Sequence, residues 1–356
     1  MEIGKFIREN IRNLQPYSCA RDEYQGAEAI FLDANENPFD NGCNRYPDPR
    51  QQRLKKRLAQ LKGVGEENLL IGNGSDEIID LLIRCTCRPG KDNILVFVPG
   101  YSMYEVSAAV NEVEVRRIGL LPDFMPDLRE AERQRDSRTR LLFLCSPNNP
   151  TGHTLPLSLI GEICSAGEYL VVVDEAYIDF AETPSAATLL SQYTNLVVLQ
   201  TLSKAWGMAG LRLGIGIADR ALTAILHNMK PPYNVSGIAQ EKALQLLERE
   251  EEFRQQVALL KKERERLFRA FSASPVFRKV YPSEANFLLV TTEHCRELYA
   301  FLTERGVVTR LRDIPPLIGG GIRITVGTEA ENNRLLWLLE EWEVEEKGSN
   351  REPVNS

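Results

Sequence analysis

The stretch 195–218, NLVVLQTLSKAWGMAGLRLGIGIA, decides how the chain is read. It opens on an apolar run of strand length, Asn195–Thr201, and closes on another, Leu211–Ala218, with Lys204 just past the first. Near-continuous Val, Ile and Leu over such lengths indicate strands covered on both faces, as in a parallel sheet flanked by helices. In an open sheet of that kind ligands bind beyond the carboxyl ends of the strands. A lysine at that edge is either a solvated charge at a strand end, the ordinary place for lysine, or an amine delivered to a ligand. The small residues Gly207, Ala209 and Gly210 let the chain turn closely before it reaches Arg212.

The same alternation extends on both sides of this stretch. Further strands are expected at Leu69–Gly72, Asn93–Pro99, Val113–Leu120, Leu141–Ser146 and Tyr169–Asp174. Helical patterns lie between most of them, at Asp76–Arg88, Tyr104–Asn111, Leu128–Arg135 and Leu155–Ala166. The fold class is therefore α/β, with a mostly parallel seven-stranded sheet in a large domain over residues 30–240. Past about residue 235 the pattern changes. A long amphipathic tract, Ile238–Ser272, is rich in Glu, Arg, Lys and Leu and reads as helix with a solvated charged face. It leads to a strand at Ala285–Thr291, a helix at Cys295–Arg305, short strands at Val307–Arg310 and Ile322–Val326, and a last helix from Glu329. These make a smaller α+β domain, residues 241–345 joined by 1–29. Residues 346–356 carry no apolar periodicity and are expected to fray.

Composition sets the bounds. At 356 residues the chain exceeds what one hydrophobic core usually reaches, so two domains are expected. Lys and Arg number 43 against 50 Asp and Glu, a net charge of −7. That argues against nucleic acid or an anionic membrane as the main partner, while a local basic pocket could still hold an anion. The 7 cysteines are scattered, the pair Cys85–Thr86–Cys87 is too tight for zinc spacing, and there are only 3 histidines. No metal site is expected, and the compartment reads as reducing. The opening MEIGKFIRENIRNLQ mixes charges through its apolar positions, unlike a signal peptide. No stretch approaches the roughly 18 apolar residues of a membrane span. A cytoplasmic protein is expected.

Three other junctions carry candidate chemistry. In YLVVVDEAYIDF (169–180), Asp174 ends an apolar strand, so its carboxylate either caps the following turn or opposes a buried cation. In LCSPNNPTG (144–152), turn chemistry alone explains every residue, although an asparagine there could also aim its amide into the cleft. In IGNGSDEIIDLL (71–82), glycines lead into a helix start near Ser75 and Asp76, whose free N–H groups suit a phosphate. Simple helix capping accounts for the acids of that first turn equally well. A dinucleotide fingerprint fails because its third glycine would fall at Glu77, and a second trial at Gly214–Ile–Gly216 fails at Asp219. No phosphate-binding G-x-x-x-x-G-K-[ST] occurs either. An amine, a carboxylate, a phosphate-type helix start and Arg212 together suit pyridoxal phosphate. Its aldehyde takes an amine, its ring nitrogen needs an acid partner, and its phosphate needs N–H groups and a guanidinium.

Beyond these junctions, the chain resembles the fold-type-I pyridoxal-phosphate aminotransferases, and within them the histidinol-phosphate aminotransferase family. The resemblance is carried by NLQPYSCAR (13–21), LDANENP (32–38), NRYPDP (44–49), GNGSDEIIDLLIR (72–84), YSMYEVSA (101–108), SPNNPTG, VVDEAYIDF and IRITVGT (322–328). It implies that Lys204 condenses with the cofactor and then moves a proton as general acid–base. It also implies that Asp174 pairs with the ring nitrogen, that Asn149 and Tyr177 hydrogen-bond the phenolic oxygen, and that Tyr101 stacks on the ring. Ser75, Asp76 through its N–H, Ser203 and Arg212 would hold the phosphate, and Tyr46 would reach the phosphate of a partner subunit. Arg323 stands at the family's substrate arginine; the second falls at Arg310 or Arg312, between which the sequence leaves the choice open. Tyr17 and Asn35 would border the substrate. The one departure is Gly100, where the family suggests a threonine before the stacking tyrosine. The reaction implied is amino transfer between L-histidinol phosphate and 2-oxoglutarate, giving imidazole-acetol phosphate and glutamate in histidine biosynthesis, by a homodimer. Related readings within the same fold are an aromatic aminotransferase and a phosphothreonine-type decarboxylase. On residues alone, the arginines at 310, 312 and 323 could equally form surface ion pairs with the many glutamates.

Overall fold

A computed structural model describes residues 3–17, 21, 30–312, 314 and 317–349, with side chains of the last helix described as far as Glu345. Its larger sheet has strands β1 (Leu69–Asn73), β2 (Asn93–Val98), β3 (Glu114–Gly119), β4 (Thr139–Cys145), β5 (Leu170–Asp174), β6 (Leu196–Thr201) and β7 (Leu213–Ala218). They lie in the order β1-β7-β6-β5-β4-β2-β3. All pairs from β6 to β3 are parallel, and β7 runs antiparallel to both β6 and β1. The expected mostly parallel seven-stranded sheet is thus present. The chain steps from β2 out to β3, then returns to place β4 on the other side of β2. Such a reversal is where open α/β sheets bind ligands.

Alternation along the central strands explains why both faces are covered. Val171 and Val173 of β5 belong to one apolar cluster, and Leu170 and Val172 to another on the opposite face. The first face is covered by α2 (Gln52–Lys62), α6 (Leu157–Ala166) and α8 (Gly237–Leu247). The second is covered by α3 (Ser75–Thr86), α4 (Met103–Val110) and α7 (Arg220–Met229). The opening residues pack here too: Ile3, Phe6 and Ile7 are buried against the large sheet's second face rather than the smaller sheet. Their apolar spacing had only to match the nearest helices, α3 and α7. Of the 1–29 segment expected with the smaller domain, residues 1, 2, 18–20 and 22–29 lie outside the described residues. Neither α2 nor α7 was foreseen; α2 offers few apolar positions between charged ones.

The smaller sheet is antiparallel, in the order β10-β11-β9-β8, with β8 at Lys279–Tyr281, β9 at Phe287–Thr291, β10 at Arg310–Leu311 and β11 at Gly321–Thr325. Helices α9 (Glu250–Ala273), α10 (Cys295–Glu304) and α11 (Glu329–Ser349) pack on it, burying Leu267, Phe271, Phe301 and Leu338 with Leu288 and Val290. The long helical tract is two helices, α8 and α9, broken at Glu248–Arg249. The three-residue strand β8 went unforeseen because its residues are exposed or half-buried and show no apolar run. The last helix continues through Ser349, into the segment expected to fray, and residues 350–356 lie outside the described residues. Among the described residues no helix is long and apolar enough to cross a membrane.

Candidate active site

A cavity of about 660 Å³ opens at the carboxyl ends of β2, β4, β5 and β6, beside the reversal in strand order. It brings together Ser75, Asp76, Tyr101, Asn149, Asp174, Tyr177, Ser203, Lys204, Arg212, Arg310, Arg312 and Arg323. Twelve of the fifteen residues singled out from sequence therefore converge on one space.

The anion end is built from backbone. Helix α3 starts at Ser75 straight after β1, and no side chain caps it. Its first-turn N–H groups and the positive end of its dipole therefore face outward. Gly74 holds φ +79°, a left-handed conformation that favours glycine, and a Cβ there would also press on Arg212 Nη2 at 2.7 Å. Its N–H donates to the Arg212 carbonyl oxygen at 2.7 Å, which locks Arg212 beside the helix start. Arg212 itself takes a left-handed conformation, φ 54°, and its guanidinium sits 3.7 Å from Asp76 Oδ2. Asp76 Oδ1 also accepts from the Tyr101 hydroxyl at 3.0 Å, which fixes the tyrosine over the cavity.

Asp174 ends β5, 3% exposed. Its Oδ2 accepts from the Tyr104 hydroxyl at 2.7 Å and its Oδ1 from the Ala176 N–H at 3.1 Å. Burial drives its pKa up to about 6 against the opposing pull of those donors. Lys204 is reachable through the cavity, yet surrounding protein excludes enough water to depress its pKa. Arg323 adds to that depression and Asp174 opposes it. Its Nζ lies 5.7 Å from the centre of the Tyr177 ring. Tyr177, itself buried, packs edge-on against Phe287 at 5.1 Å.

The smaller sheet closes the far wall. Arg310 and Arg323 are direct cross-strand partners on β10 and β11. Like charges in that position are destabilising unless something neutralises them. Arg323 Nη1 donates to Asn149 Oδ1 at 2.6 Å, which leaves the Asn149 amide nitrogen as the group free to face the cavity. Arg323 Nε is buried with no hydrogen-bond partner. Burial pulls the Arg312 and Arg323 pKa values down, helped by the neighbouring guanidinium groups. Among the described residues, no carboxylate pairs with Arg310, Arg312 or Arg323.

Three expected residues are not brought into this cavity by the single chain. Tyr17 is 71% exposed, on a segment whose next residues lie outside the described ones. Asn35 and Tyr46 line a second cavity of about 1030 Å³, where Tyr46 stacks on Tyr233 at 4.5 Å. Arg212 lines both cavities. The sequence reading overlooked Tyr104, whose signal was its position one helical turn beyond Tyr101. Gly100 has a local explanation: a Cβ there would lie 2.6 Å from the Phe97 carbonyl oxygen, too close for a threonine on this backbone path.

The donor set fits pyridoxal phosphate. The uncapped helix start, Arg212 and the Ser75 and Ser203 hydroxyls match a phosphate, the buried Asp174 carboxylate matches a ring nitrogen, and Lys204 matches an aldehyde. The sequence pattern of the family described as "Aminotransferase class I and II" matches residues 24–338. A histidinol-phosphate aminotransferase of Cytophaga hutchinsonii is 48% identical over 341 residues, covering 95% of this chain and 98% of the relative. Among solved structures, the histidinol-phosphate aminotransferase of Clostridium acetobutylicum superposes with a TM-score of 0.77 at 25% identity, covering 85% of this chain and 91% of that one. The Sinorhizobium meliloti histidinol-phosphate aminotransferase, solved in complex with pyridoxal-5'-phosphate, shares the fold with a TM-score of 0.77 at 24% identity, covering 83% and 82%.

Proposed function

The chain belongs to the class I and II aminotransferases, among the histidinol-phosphate aminotransferases, and from that premise we propose that it transfers the amino group of L-histidinol phosphate to 2-oxoglutarate. The observation that carries the substrate choice is the arginine cluster. Arg310 opposite Arg323, with Arg312 beside them, presents concentrated positive charge in the same cavity as Lys204 and Asp174. A substrate with a phosphate at one end and an amine at the other spans those two groups. The carboxylates of 2-oxoglutarate and glutamate can use the same arginines in turn.

Pyridoxal phosphate, when bound, supplies an aldehyde that takes up an amino group and a ring that draws in the electron pair released at the substrate carbon. Ser75, the Asp76 N–H, Ser203 and Arg212 hold its phosphate, Tyr101 covers its ring, and Asn149 and Tyr177 donate to its phenolic oxygen. Asp174 keeps the ring nitrogen protonated through its carboxylate. Lys204 Nζ, whose pKa burial lowers, would accept a proton from the substrate carbon and return it elsewhere. Arg323 both binds the substrate anion and orients Asn149 through its 2.6 Å hydrogen bond.

The enzyme acts as a cytoplasmic homodimer. The segment holding Tyr46 supports this: Ile30, Leu32 and Phe39 are 88%, 87% and 80% exposed, an apolar face suited to a second copy. Tyr46 then completes the partner's phosphate seat. Cys43, Cys85, Cys87, Cys145 and Cys164 are free thiols, in keeping with a reducing compartment. Residues 30–247, with Ile3, Phe6 and Ile7 packed on the same sheet, form the cofactor domain, and 250–345 the smaller one. The test of substrate choice is a half-reaction followed by cofactor colour with L-histidinol phosphate and with histidinol. Strong preference for the phosphorylated amine is expected, and equal use of both would overturn the reading. Full activity from a monomer in dilute sedimentation would remove the role given to Tyr46.

A further inference from the structure

We infer that Tyr104 is a positioning residue that keeps Asp174 a weak base, so that the proton between Asp174 and the cofactor's ring nitrogen stays on the nitrogen. The inference rests on the reading of Asp174 as the partner of that nitrogen.

Tyr104 lies in the first turn of α4, buried, with its ring stacked on Phe143 at 4.5 Å and an interplanar angle of 15°. Tyr101 meets its ring edge-on at 5.6 Å. The hydroxyl donates to Asp174 Oδ2 at 2.7 Å, with the Cys145 thiol also beside it. The Ala176 N–H takes Oδ1 at 3.1 Å. Each carboxylate oxygen thus accepts one neutral donor and keeps a lone pair for the ring nitrogen.

The need for such a donor follows from burial. Out of water, a carboxylate becomes a stronger base, and Asp174 rises to about 6 even with both donors in place. Pyridine nitrogens titrate in the same weakly acidic range, so carboxylate and ring compete closely for one proton. The surrounding groups do not settle that competition in favour of the ring. Asp76, Tyr101, Cys145 and Tyr177 all face Asp174 as acids, and the Asp76 carboxylate raises its pKa where Lys204 lowers it. The Tyr104 hydroxyl weakens Asp174 as a base without adding charge. Burial and the carboxylate push the Tyr104 pKa well above its ordinary value, so it remains a donor at every working pH.

The test is a nitrogen-15 NMR titration of the holoenzyme carrying ring-labelled pyridoxal phosphate, for wild type, Tyr104→Phe, Asp174→Asn and the double variant. Tyr104→Phe keeps the ring that stacks on Phe143, so the fold should hold. In Tyr104→Phe the nitrogen-15 shift on the acid side of the titration should move toward the unprotonated value, with the ratio of proton on nitrogen to proton on carboxylate falling at least about tenfold. The pH at which the pair releases that proton should not fall. kcat should drop with little change in KM. Adding Tyr104→Phe to Asp174→Asn should produce no further change, because the tyrosine acts only through that carboxylate. An unchanged titration in Tyr104→Phe, with Asp174→Asn still shifting it, overturns the inference alone. A titration that Asp174→Asn also leaves unchanged removes the assignment of Asp174, and this inference with it.

Discussion

Two sheets meet at the cavity, and they contribute to it by different rules. The seven-stranded sheet delivers its groups from strand ends: Asp174 closes β5, Ser203 and Lys204 follow β6, and Ser75 follows β1. The four-stranded sheet delivers Arg310 and Arg323 from a strand face, where cross-strand register sets them opposite one another. Ends of parallel strands place single groups at fixed points, which suits bond-making chemistry. A face of paired strands concentrates like charge, which suits gripping an anion. On the proposed function, reaction would belong to one sheet and substrate choice to the other.

The largest expected effect breaks the first half of that assignment or secures it. Lys204→Ala removes both the amine and the general acid–base group from the strand-end set. Loss of acid–base catalysis alone costs about 10²–10⁴-fold, and kcat should fall by at least about 10⁴-fold for every amine tried. Cofactor should still bind, held by the helix start and Arg212. Turnover near the wild-type rate would show that the sheet edge does not carry the reaction.

Arg323→Ala addresses the other sheet. Removing one member of a desolvated charge pair costs about 2–5 kcal/mol, or roughly 30- to several-thousand-fold in kcat/KM for L-histidinol phosphate. Against unphosphorylated histidinol the loss should be far smaller, because only the phosphate contact is gone. Equal losses for both amines would mean that Arg323 matters through Asn149 rather than through the substrate anion.

The two sheets also differed in how openly the sequence showed them. Strands β4, β5 and β6 are apolar runs that end in chemistry, so the rule about carboxyl ends led directly to Asp174, Lys204 and the turn at Asn149. The arginines gave no such signal. Strand β10 is two residues long, and its pairing with β11 across a loop depends on tertiary packing that no local pattern encodes. Only the family resemblance singled them out, and it left Arg310 and Arg312 undivided. Tyr104 was invisible for another reason: a buried tyrosine in an apolar helix face reads as core until its hydroxyl is seen to meet a carboxylate.

The two undecided arginines sit in different surroundings. Both line the cavity, but Arg312 is half-buried, with its pKa lowered chiefly by burial, whereas Arg310 is exposed. Contacts to a desolvated cation are worth more than those to a solvated one. Arg312→Ala should therefore cost about 2 kcal/mol or more in kcat/KM for the phosphorylated amine, and Arg310→Ala about 1 kcal/mol or less. The reverse order would place the substrate anion nearer the open end of the strand pair.

The smallest expected effect concerns two neighbours at the same sheet edge that the cavity treats differently. Asp174 lines the cavity, while Glu175 does not: its carboxylate accepts from Ser185 Oγ at 2.5 Å, the Ala186 N–H at 2.6 Å and Gln200 Nε2 at 2.9 Å. Burial nevertheless raises Glu175 from an ordinary 4.5 to about 7. Between those values the folded chain holds a proton that the unfolded chain has released, so this group's contribution to stability is full below about 4.5 and declines as pH rises through 7. Glu175→Gln removes the titration and keeps the shape. Its new amide also offers a donor to Gln200 Oε1, which is buried without a hydrogen-bond partner. Urea unfolding should find the variant close to wild type at pH 5 and more stable by up to about 3 kcal/mol at pH 8, with kcat nearly unchanged at both. A stability difference that does not grow with pH would mean that the three donors, aided by Lys62, keep Glu175 ionised in the fold. Strand-end position alone would then not distinguish a working acid from a structural one, and exposure to the cavity would be the deciding feature.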